Sequence, residues 1–269
     1  MDFETVRLDV EASVATVRLH RPDRMNAVVE AMYRDLGAVL DRLERDPEVR
    51  CVVLTGSSRL RDGVARRAFC AGADLKEHGE GRRDAAARKA YIESAHALVA
   101  RLDRFPRPVV AAVGGPARGA GPELALACDF VVMADDASLA LPESGLGTFV
   151  GGGLTWLLPR IVGLARAREL IYTGRILDGP AAVETGLALR SIPADRFDAA
   201  VRAFAAAITG RAPLSLGHAK RALAETFGRT FDEAIEDETE TILACMQTED
   251  WAEGVRAFAE RRAPRFRGR

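Results

Sequence analysis

Alternating apolar and polar residues open the chain, and they predict a β-hairpin. The segments TVRLDVE and VATVRLH each alternate with a period of two, and a short turn over residues 11–13 separates them. RPDRMNAV follows as a turn, and from Glu30 the apolar period becomes that of a helix. The residues on its apolar face are Tyr33, Leu36, Val39, Leu40 and Leu43.

Three short apolar runs predict strands that are buried on both faces. RCVVLTG, RPVVAAVGG and DFVVMAD are continuously apolar at their centres, as parallel strands covered by helices are. Helices are predicted over residues 82–104 and from about Pro122, and ASLALPESGLGTFVGGGLTWLLPRIVG predicts a short strand, a glycine-rich loop and a helix. The repeated order of strand, glycine-rich turn, helix and strand predicts an α/β layered core.

The pattern changes from about residue 195, where glycine becomes rare and helical spacing continues to the end. The helical stretches are 197–208, 214–227, 231–246 and 251–261. We therefore place a soft boundary near 195–210 and predict an all-helical C-terminal part.

Composition and charge exclude several classes of protein. The 269 residues are 48% hydrophobic with a net charge of −1, which argues against binding to nucleic acid or to an acidic membrane surface. We see no targeting signal and no apolar run near the roughly 20 residues that span a membrane. The four cysteines lack CxxC spacing and the four histidines form no metal-spaced pair. We expect free thiols, no metal and a soluble cytoplasmic protein.

Two glycine-rich turns are candidates for presenting backbone amides. In AFCAGADL, small residues around Gly72 would let N–H groups point into a cleft, although a tight turn also needs small residues. In GGPARGAGPELALACD, Pro122 suits the first helical position, and Glu123 in the first turn either complements the helix dipole or does chemistry. Neither turn carries a P-loop sequence or dinucleotide-binding spacing.

A second carboxylate lies in LPESGLGTFVGGG. Glu143 there is either a cap or surface residue, or a functional group in an apolar, glycine-rich loop. Ser144 is unsupported as a nucleophile because Pro142 replaces the first glycine of G-x-S-x-G. Two carboxylates with convergent amides are what a reaction needs when charge develops on a carbonyl oxygen while protons move nearby.

In combination, these segments resemble the crotonase superfamily, the enoyl-CoA hydratase/isomerase family, over nearly the whole chain. The similar segments are RPDRMNAV, VVLTG…AFCAGADLKE, RPVVAAVGGPARGAGPELALACDFVVMAD, LALPESGLGTFVGGGLTWLLPRIVG, ARELIYTGRILDGPAAVETGLA and TEDWAEGVRAFAERRAPRFRGR. The resemblance implies an α/β fold, a crotonase-like spiral of ββα repeats with a C-terminal α-helical oligomerisation region. It implies a core over residues 1–200 and a helical region over 201–269 that packs trimers, often paired into hexamers.

The resemblance also implies roles for residues. The amides of Ala73 and Ala120 would form an oxyanion hole, and Glu123 and Glu143 would be the catalytic carboxylates of a hydratase that converts a 2-enoyl-CoA into a 3-hydroxyacyl-CoA. No metal or separate cofactor is implied, because coenzyme A is part of the acyl-CoA substrate. The implied coenzyme A contacts are Ala71, on the adenine side, Ala73, Asp74, Leu75 and Lys76.

Other interpretations stay open at this stage. One is a different crotonase chemistry, such as isomerisation or hydration of a bulkier or cyclic acyl-CoA, which the small Ser144 and Gly145 and the Val150 in place of a common proline would suit. Another is a non-catalytic acyl-CoA-binding protein. The segment SSRLRDGVARRA is longer than expected, and it is either a solvated loop or reaches the coenzyme A phosphates through Arg59, Arg61, Arg66 and Arg67.

Overall fold

The opening alternation folds as the predicted hairpin. A computed structural model describes residues 3–76 and 84–269. Ala12 and Ser13, which connect the two strands, both have positive φ, 47° and 66°, as the tight turns of hairpins require. The strands are β1 (Val6–Glu11), β2 (Val14–Leu19), β3 (Cys51–Gly56), β4 (Arg59–Arg61), β5 (Val64–Arg66), β6 (Val109–Val113), β7 (Ala117–Arg118), β8 (Phe130–Ala134), β9 (Ser138–Ala140), β10 (Leu177–Asp178) and β11 (Arg190–Ile192).

The central sheet contains every predicted apolar strand. In the described ranges its six strands follow the order β1-β2-β3-β6-β8-β11, and all neighbours after the first pair are parallel. All five residues of β6 are buried, as expected for a strand covered on both faces. A smaller sheet of order β10-β9-β7 stands beside it.

Helices connect and cover these strands, which confirms the predicted α/β class. The chain order is α1 (Glu30–Arg45), α2 (Ala85–Asp103), α3 (Ala120–Leu126), α4 (Leu154–Val162), α5 (Leu164–Thr173), α6 (Gly179–Glu184), α7 (Phe197–Thr209), α8 (Pro213–Glu225), α9 (Phe231–Met246) and α10 (Glu249–Ala259). The predicted apolar face of α1 is buried throughout, and α7 packs on β2, β3 and β8.

Some elements differ from the sequence predictions. The supposed loop at residues 59–66 is the antiparallel hairpin β4–β5, turned by Asp62 and Gly63 at φ 53° and 74°. Helix α3 begins at Ala120 rather than Pro122, and α5 and α6 had no predicted counterpart. Residues 82 and 83, where the second helix was predicted to begin, lie outside the described part of the chain. Asp84 caps the first described turn by accepting from the Ala87 N–H at 2.8 Å.

The C-terminal part is helical, as predicted, and it exposes much apolar surface. All of α9 lies in the described ranges, and none of its residues is buried. Lys220 on α8 forms an ion pair with Asp129 at 2.8 Å, which fixes this helix to the core. The predicted division at residue 200 falls inside α7 and stays a prediction. The large exposed side chains along these helices include Leu223, Phe227, Phe231, Ile235, Ile242, Leu243, Met246 and Phe258.

No helix in the described ranges has both the length and the apolar character needed to cross a membrane.

Candidate active site

The two glycine-rich turns meet in space. Cys70 and Ala117 form an isolated parallel bridge, in which the Arg118 N–H donates to the Cys70 carbonyl at 2.9 Å. Gly72 and Gly119 have φ of 94° and 53°. A Cβ on Gly72 would lie 2.9 Å from the Arg118 carbonyl oxygen, and one on Gly119 would lie 3.5 Å from the Gly72 Cα. Glycine is therefore needed at both positions for the turns to approach this closely.

Ala73 and Ala120 directly follow these two glycines. Val28 donates to the Gly72 carbonyl at 2.8 Å and accepts from the Asp74 N–H at 3.0 Å. Gly72 and Asp74, on either side of Ala73, make both hydrogen bonds to Val28, so the Ala73 N–H points away from Val28. Ala120 is the first residue of α3, where an N–H has no acceptor within the helix. The structure thus brings together the two segments that carry the predicted amide donors.

Glu123 lies one turn into α3 and is enclosed by a glycine-rich loop. Its Oε1 accepts the Gly151 N–H at 3.0 Å. A Cβ on Gly151 would lie 2.9 Å from that oxygen, and one on Gly152 would lie 2.6 Å from the Glu123 Cβ. Burial raises the pKa of Glu123, the Gly151 hydrogen bond opposes this, and the nearby charge of Glu143 raises it further. The glycines at 151 and 152 therefore allow backbone to pack directly on a carboxylate.

Glu143 opens the 3₁₀ turn Glu143–Leu146 and is 7% exposed. The strand before it, β9, runs parallel to β7, which precedes α3. The segments after two parallel strands emerge at the same edge, so Glu143 meets the start of α3. Its Oε1 lies 3.3 Å from the position a Cβ on Gly119 would take. Its Oε2 is buried with no hydrogen-bond partner in the described residues, and burial raises its pKa.

The two carboxylates therefore belong to one site beside the crossing turns. Burial raises the pKa of both carboxyl groups, so each keeps its proton to a higher pH than an exposed glutamate does. A carboxyl group that holds a proton near neutral pH can act as a general acid, and its ionised neighbour can act as a base. The structure places the two side chains near each other, and their catalytic roles stay predictions.

The segment 71–76 extends from the crossing along the turn that precedes α1. Asp74 Oδ2 accepts from Arg21 Nη1 at 3.0 Å, and its Oδ1 accepts the Lys76 N–H at 3.3 Å. Burial alone would raise the pKa of Asp74, but the hydrogen bond and charge of Arg21 hold it below the ordinary value. Ala71 and Ala73 are half-buried, whereas the side chains of Leu75 and Lys76 are exposed. These exposed side chains are available to a ligand.

The arginine-rich hairpin β4–β5 borders an open cavity of about 900 Å³. Arg59 and Arg66 stand directly opposite each other in the register, so their side chains share one face. Arg59 pairs with Asp23 at 3.2 Å, and Arg67 donates to the Ala194 carbonyl at 2.9 Å. All three of these arginines line the cavity. The side chain of Arg61 lies outside the described part.

Two polar residues near the site were missed in the sequence. Asn26 is completely buried and hydrogen-bonded to two carbonyl groups, Ser57 O and Ala68 O. His96 Nε2 comes within 3.2 Å of the position a Cβ on Gly151 would take. His96 follows Ile92 by four residues in α2, so the two side chains lie on the same side of the helix, and this spacing is visible in the sequence.

The remaining candidate groups show no sign of chemistry of their own. Ser144 Oγ donates to the Ile171 carbonyl at 3.0 Å, and the four cysteines are free thiols, as expected. Burial raises the pKa of Cys70 to about 12, which keeps that thiol protonated. Residues 3–76 and 84–269 contain no group of three or more His, Cys, Asp or Glu side chains placed to hold a metal ion.

Comparison with known proteins identifies the family. Residues 9–269 match the family described as "Enoyl-CoA hydratase/isomerase". The chain is 32% identical to the short-chain-enoyl-CoA hydratase of Clostridium acetobutylicum, covering 97% of each chain. It is 34% identical to the 1,2-epoxyphenylacetyl-CoA isomerase of Escherichia coli, covering 99% of this chain and 100% of the relative.

A solved structure confirms the predicted fold. The crystal structure of an enoyl-CoA hydratase from Bacillus anthracis superposes with a TM-score of 0.92 at 31% identity, covering 99% of this chain and 100% of that one. With the family match over almost the full length, this similarity confirms the resemblance seen in the sequence. The chain belongs to the enoyl-CoA hydratase/isomerase family, within the crotonase superfamily.

Proposed function

We propose that the protein is a 2-enoyl-CoA hydratase, which adds water across the 2,3 double bond of an acyl-CoA thioester to give a 3-hydroxyacyl-CoA. One observation carries the proposal: Glu123 and Glu143 lie together, largely out of water, at the crossing of two turns that carry candidate amide donors. A binding protein without catalysis has no evident use for two carboxylates whose ionisation is opposed by burial.

The amides of Ala73 and Ala120 would bind the thioester oxygen. Their hydrogen bonds draw electron density from the double bond toward the oxygen, which makes Cβ electrophilic. The N-terminus of α3 adds a partial positive charge on the same side. Loss of one such donor typically costs about 3 kcal/mol of transition-state stabilisation.

The two glutamates would move the protons. Glu123, ionised and held by the Gly151 N–H, accepts a proton from a water molecule as the water oxygen bonds to Cβ. Glu143 gives its proton to Cα, and exchange between the two carboxyl groups restores the starting state. The buried, unpartnered Oε2 of Glu143 supports this assignment, since a buried carboxyl oxygen without a protein partner is expected to meet a ligand.

The coenzyme A moiety would extend away from this crossing along Ala71, Ala73, Asp74, Leu75 and Lys76. The cavity beside the β4–β5 hairpin supports binding of its phosphates, because Arg66 and Arg67 line it together with Arg59, which also pairs with Asp23.

Substitution of each glutamate tests the proposal. Glu123→Gln and Glu143→Gln keep the shape of the side chain but remove its proton chemistry, so each should lower the kcat for crotonyl-CoA hydration about 100-fold or more. Binding of the product-like 3-hydroxybutyryl-CoA, measured by calorimetry, should stay within a few-fold of wild type. Glu93→Gln on the exposed side of α2 is the matched control and should leave both quantities unchanged. Near wild-type turnover in both site variants refutes the two-carboxylate mechanism.

A second candidate is isomerisation of a bulkier acyl-CoA. An isomerase is among the relatives, and a side chain added at Gly145 would meet no atom within 4 Å, so the site borders open space there. A panel of acyl-CoA esters read by mass spectrometry separates the two reactions. Hydration adds the mass of one water, whereas isomerisation leaves the mass unchanged. Tight binding without any turnover would instead identify an acyl-CoA-binding protein.

We also propose that the protein assembles as a homotrimer, or as a hexamer of two trimers, through the C-terminal helices. An interface between copies of the chain would cover the large apolar side chains that these helices expose. Light scattering after size-exclusion chromatography should give a mass of three or six times the 29.0 kDa of the chain. Phe231→Glu with Ile235→Glu should lower that mass, and a wild-type monomer would refute the proposal.

A further inference from the structure

Arg118 is the residue at which three segments of the candidate site meet. Its backbone N–H donates to the Cys70 carbonyl at 2.9 Å, and its carbonyl oxygen lies 2.9 Å from the position a Cβ on Gly72 would take. It lies in the second turn itself, two residues before Ala120. Its side chain contacts the third segment, strand β9, which leads to Glu143.

The guanidinium group of Arg118 binds Ser138 through both of its terminal nitrogens. Nη1 donates to the Ser138 carbonyl at 2.9 Å, and Nη2 donates to Ser138 Oγ at 2.9 Å. Nη1 also donates to the carbonyl of Ala117, on its own strand, at 2.8 Å. Because the guanidinium is planar and its donors are fixed, these bonds hold β7 and the first residue of β9 in one relative orientation. Hydrogen bonds from a charged donor are about twice as strong as those between neutral groups.

Arg118 is half-buried without a carboxylate partner. Within the part of the chain that the structure describes it forms no ion pair, and its side-chain donors bind neutral oxygen atoms instead. A guanidinium group stays protonated in proteins, so burial of this one is costly for the fold. A residue that breaks such a rule is more often found at a functional site than elsewhere.

The two strands that Arg118 joins are short. β7 has two residues and β9 has three, and their parallel register consists of two residue pairs. On its other side β9 pairs with β10, which lies outside the two crossing turns. Because Arg118 lies opposite Ala140 in the register, its bonds to Ser138 run diagonally and oppose sliding of one strand along the other. Such sliding would move Glu143, three residues after β9, relative to Ala120, two residues after β7.

We infer that Arg118 is a positioning residue, whose side chain holds β9 against β7 and thereby fixes Glu143 relative to the Ala120 amide. Its effect on turnover rests on the proposed function, whereas its hold on β9 does not. Misplacing a reacting group by about 1 Å can lower a rate about 100-fold, so loss of this contact should lower kcat. Binding of the ester should change little, because Val28 and Arg21 hold the segment 71–76 separately.

Hydrogen exchange read by mass spectrometry tests the hold on β9 without any assay of activity. Arg118→Met keeps an apolar stem but has no donor, so the amides of residues 138–148 should exchange about tenfold faster or more. Ser138→Ala removes one acceptor and should give a smaller increase in the same segment, and it carries the test if Arg118→Met does not fold. Exchange over 138–148 that stays within about twofold of wild type in both variants overturns the inference. The amides of β6 are the internal reference, and an increase of equal size there shows a general loss of stability and overturns it as well.

Kinetics then test the role in turnover. Arg118→Met should lower the kcat for crotonyl-CoA hydration about tenfold or more, with binding of 3-hydroxybutyryl-CoA within about threefold of wild type. Arg118→Lys restores one charged donor but not the planar pair, so it should recover part of the loss. Adding Ser138→Ala to Arg118→Met should cost nothing further, because the hydroxyl then has no guanidinium to accept from. Arg175→Met, which removes an exposed arginine paired with Glu169 at 2.9 Å, is the matched control and should leave both quantities unchanged.

The outcomes separate the two proposals. If Glu123→Gln and Glu143→Gln retain hydration while Arg118→Met speeds exchange over 138–148, the proposed function fails and the hold on β9 stands. If hydration requires both glutamates while Arg118→Met keeps wild-type turnover, the positioning role is wrong and the proposed function stands.

Discussion

Asn26 ties the turn before α1 to the segment that leads into the site, and its removal should be costly. Its Nδ2 donates to the carbonyl groups of Ser57 at 2.9 Å and Ala68 at 2.8 Å, and its Oδ1 accepts from the Arg21 N–H at 3.1 Å. Asn26 is 0% exposed and has φ of 56°. Asn26→Gly isolates these bonds, because glycine adopts positive φ without strain.

The magnitude follows from the groups left behind. In Asn26→Gly, two buried carbonyl oxygens and one backbone N–H lose their hydrogen-bond partner, and each loss costs about 1–3 kcal/mol of folding stability. Together these losses come to about 3–9 kcal/mol, and with about 1 kcal/mol either way for glycine in the unfolded chain we expect a loss of about 2–10 kcal/mol. A domain is stable by about 5–15 kcal/mol, so this single change should remove a large part of that margin.

Urea unfolding followed by tryptophan fluorescence measures this loss. Wild type and variant must be compared at one protein concentration, because the proposed assembly would add to the apparent stability. Ser13→Gly, at another positive φ but in the β1–β2 turn, is the matched control and should be neutral or slightly stabilising. A loss below about 1 kcal/mol for Asn26→Gly would refute the view that these bonds hold the turn in place.

Three further predictions concern residues of the site. Gly119→Ala should lower the melting temperature and the activity, because its Cβ would meet Glu143 at 3.3 Å in a positive-φ position, whereas Gly145→Ala should be tolerated. Glu143→Gln should stabilise the fold at pH 8 more than at pH 5. Burial raises the pKa of Glu143 in the folded protein, so wild type loses stability as the pH rises through that pKa. Melting curves at both pH values measure the difference. Asp74→Asn should destabilise the fold at pH 7, because Arg21 lowers the folded pKa of Asp74. In acid unfolding the difference from wild type should shrink as the pH falls below 3.8, the ordinary value, and through the lowered folded pKa.

Periodicity predicted the elements whose burial is regular. The alternation of β1 and β2 and the apolar runs of β3, β6 and β8 predicted five of the six strands described in the central sheet, since a strand buried on one or both faces shows this in its side chains; the short β11 was not predicted. The hairpin β4–β5 was missed because each strand has only three residues and its apolar side chains Leu60 and Val64 are exposed, so no pattern of burial marks it. Its Asp62-Gly63 pair was the available signal, being typical of hairpin turns.

The candidate site was predictable in its parts but not in its assembly. Each glycine-rich turn and each glutamate is visible in the sequence, and the resemblance joined them. The contacts that bring them together are long-range, between Cys70 and Ala117 and between β7 and β9, and no local pattern specifies such pairings. Asn26 and His96 were missed for the same reason, because the role of a polar side chain depends on its contacts with residues that are distant in the sequence.

The crossing of the two glycine-rich turns has a mechanical consequence. The bridge between Cys70 and Ala117 and the bond from Arg118 join the turns just before the two candidate amides. The spacing between those amides is thus set by backbone, not by side chains that can rotate. A bound carbonyl oxygen would therefore meet two amides at a fixed separation, so differences among acyl groups must be sensed elsewhere, as in the loop around Gly145, where an added side chain would meet no atom within 4 Å. Substitutions in that loop could then change the preferred acyl group while the spacing of the two amides stays the same.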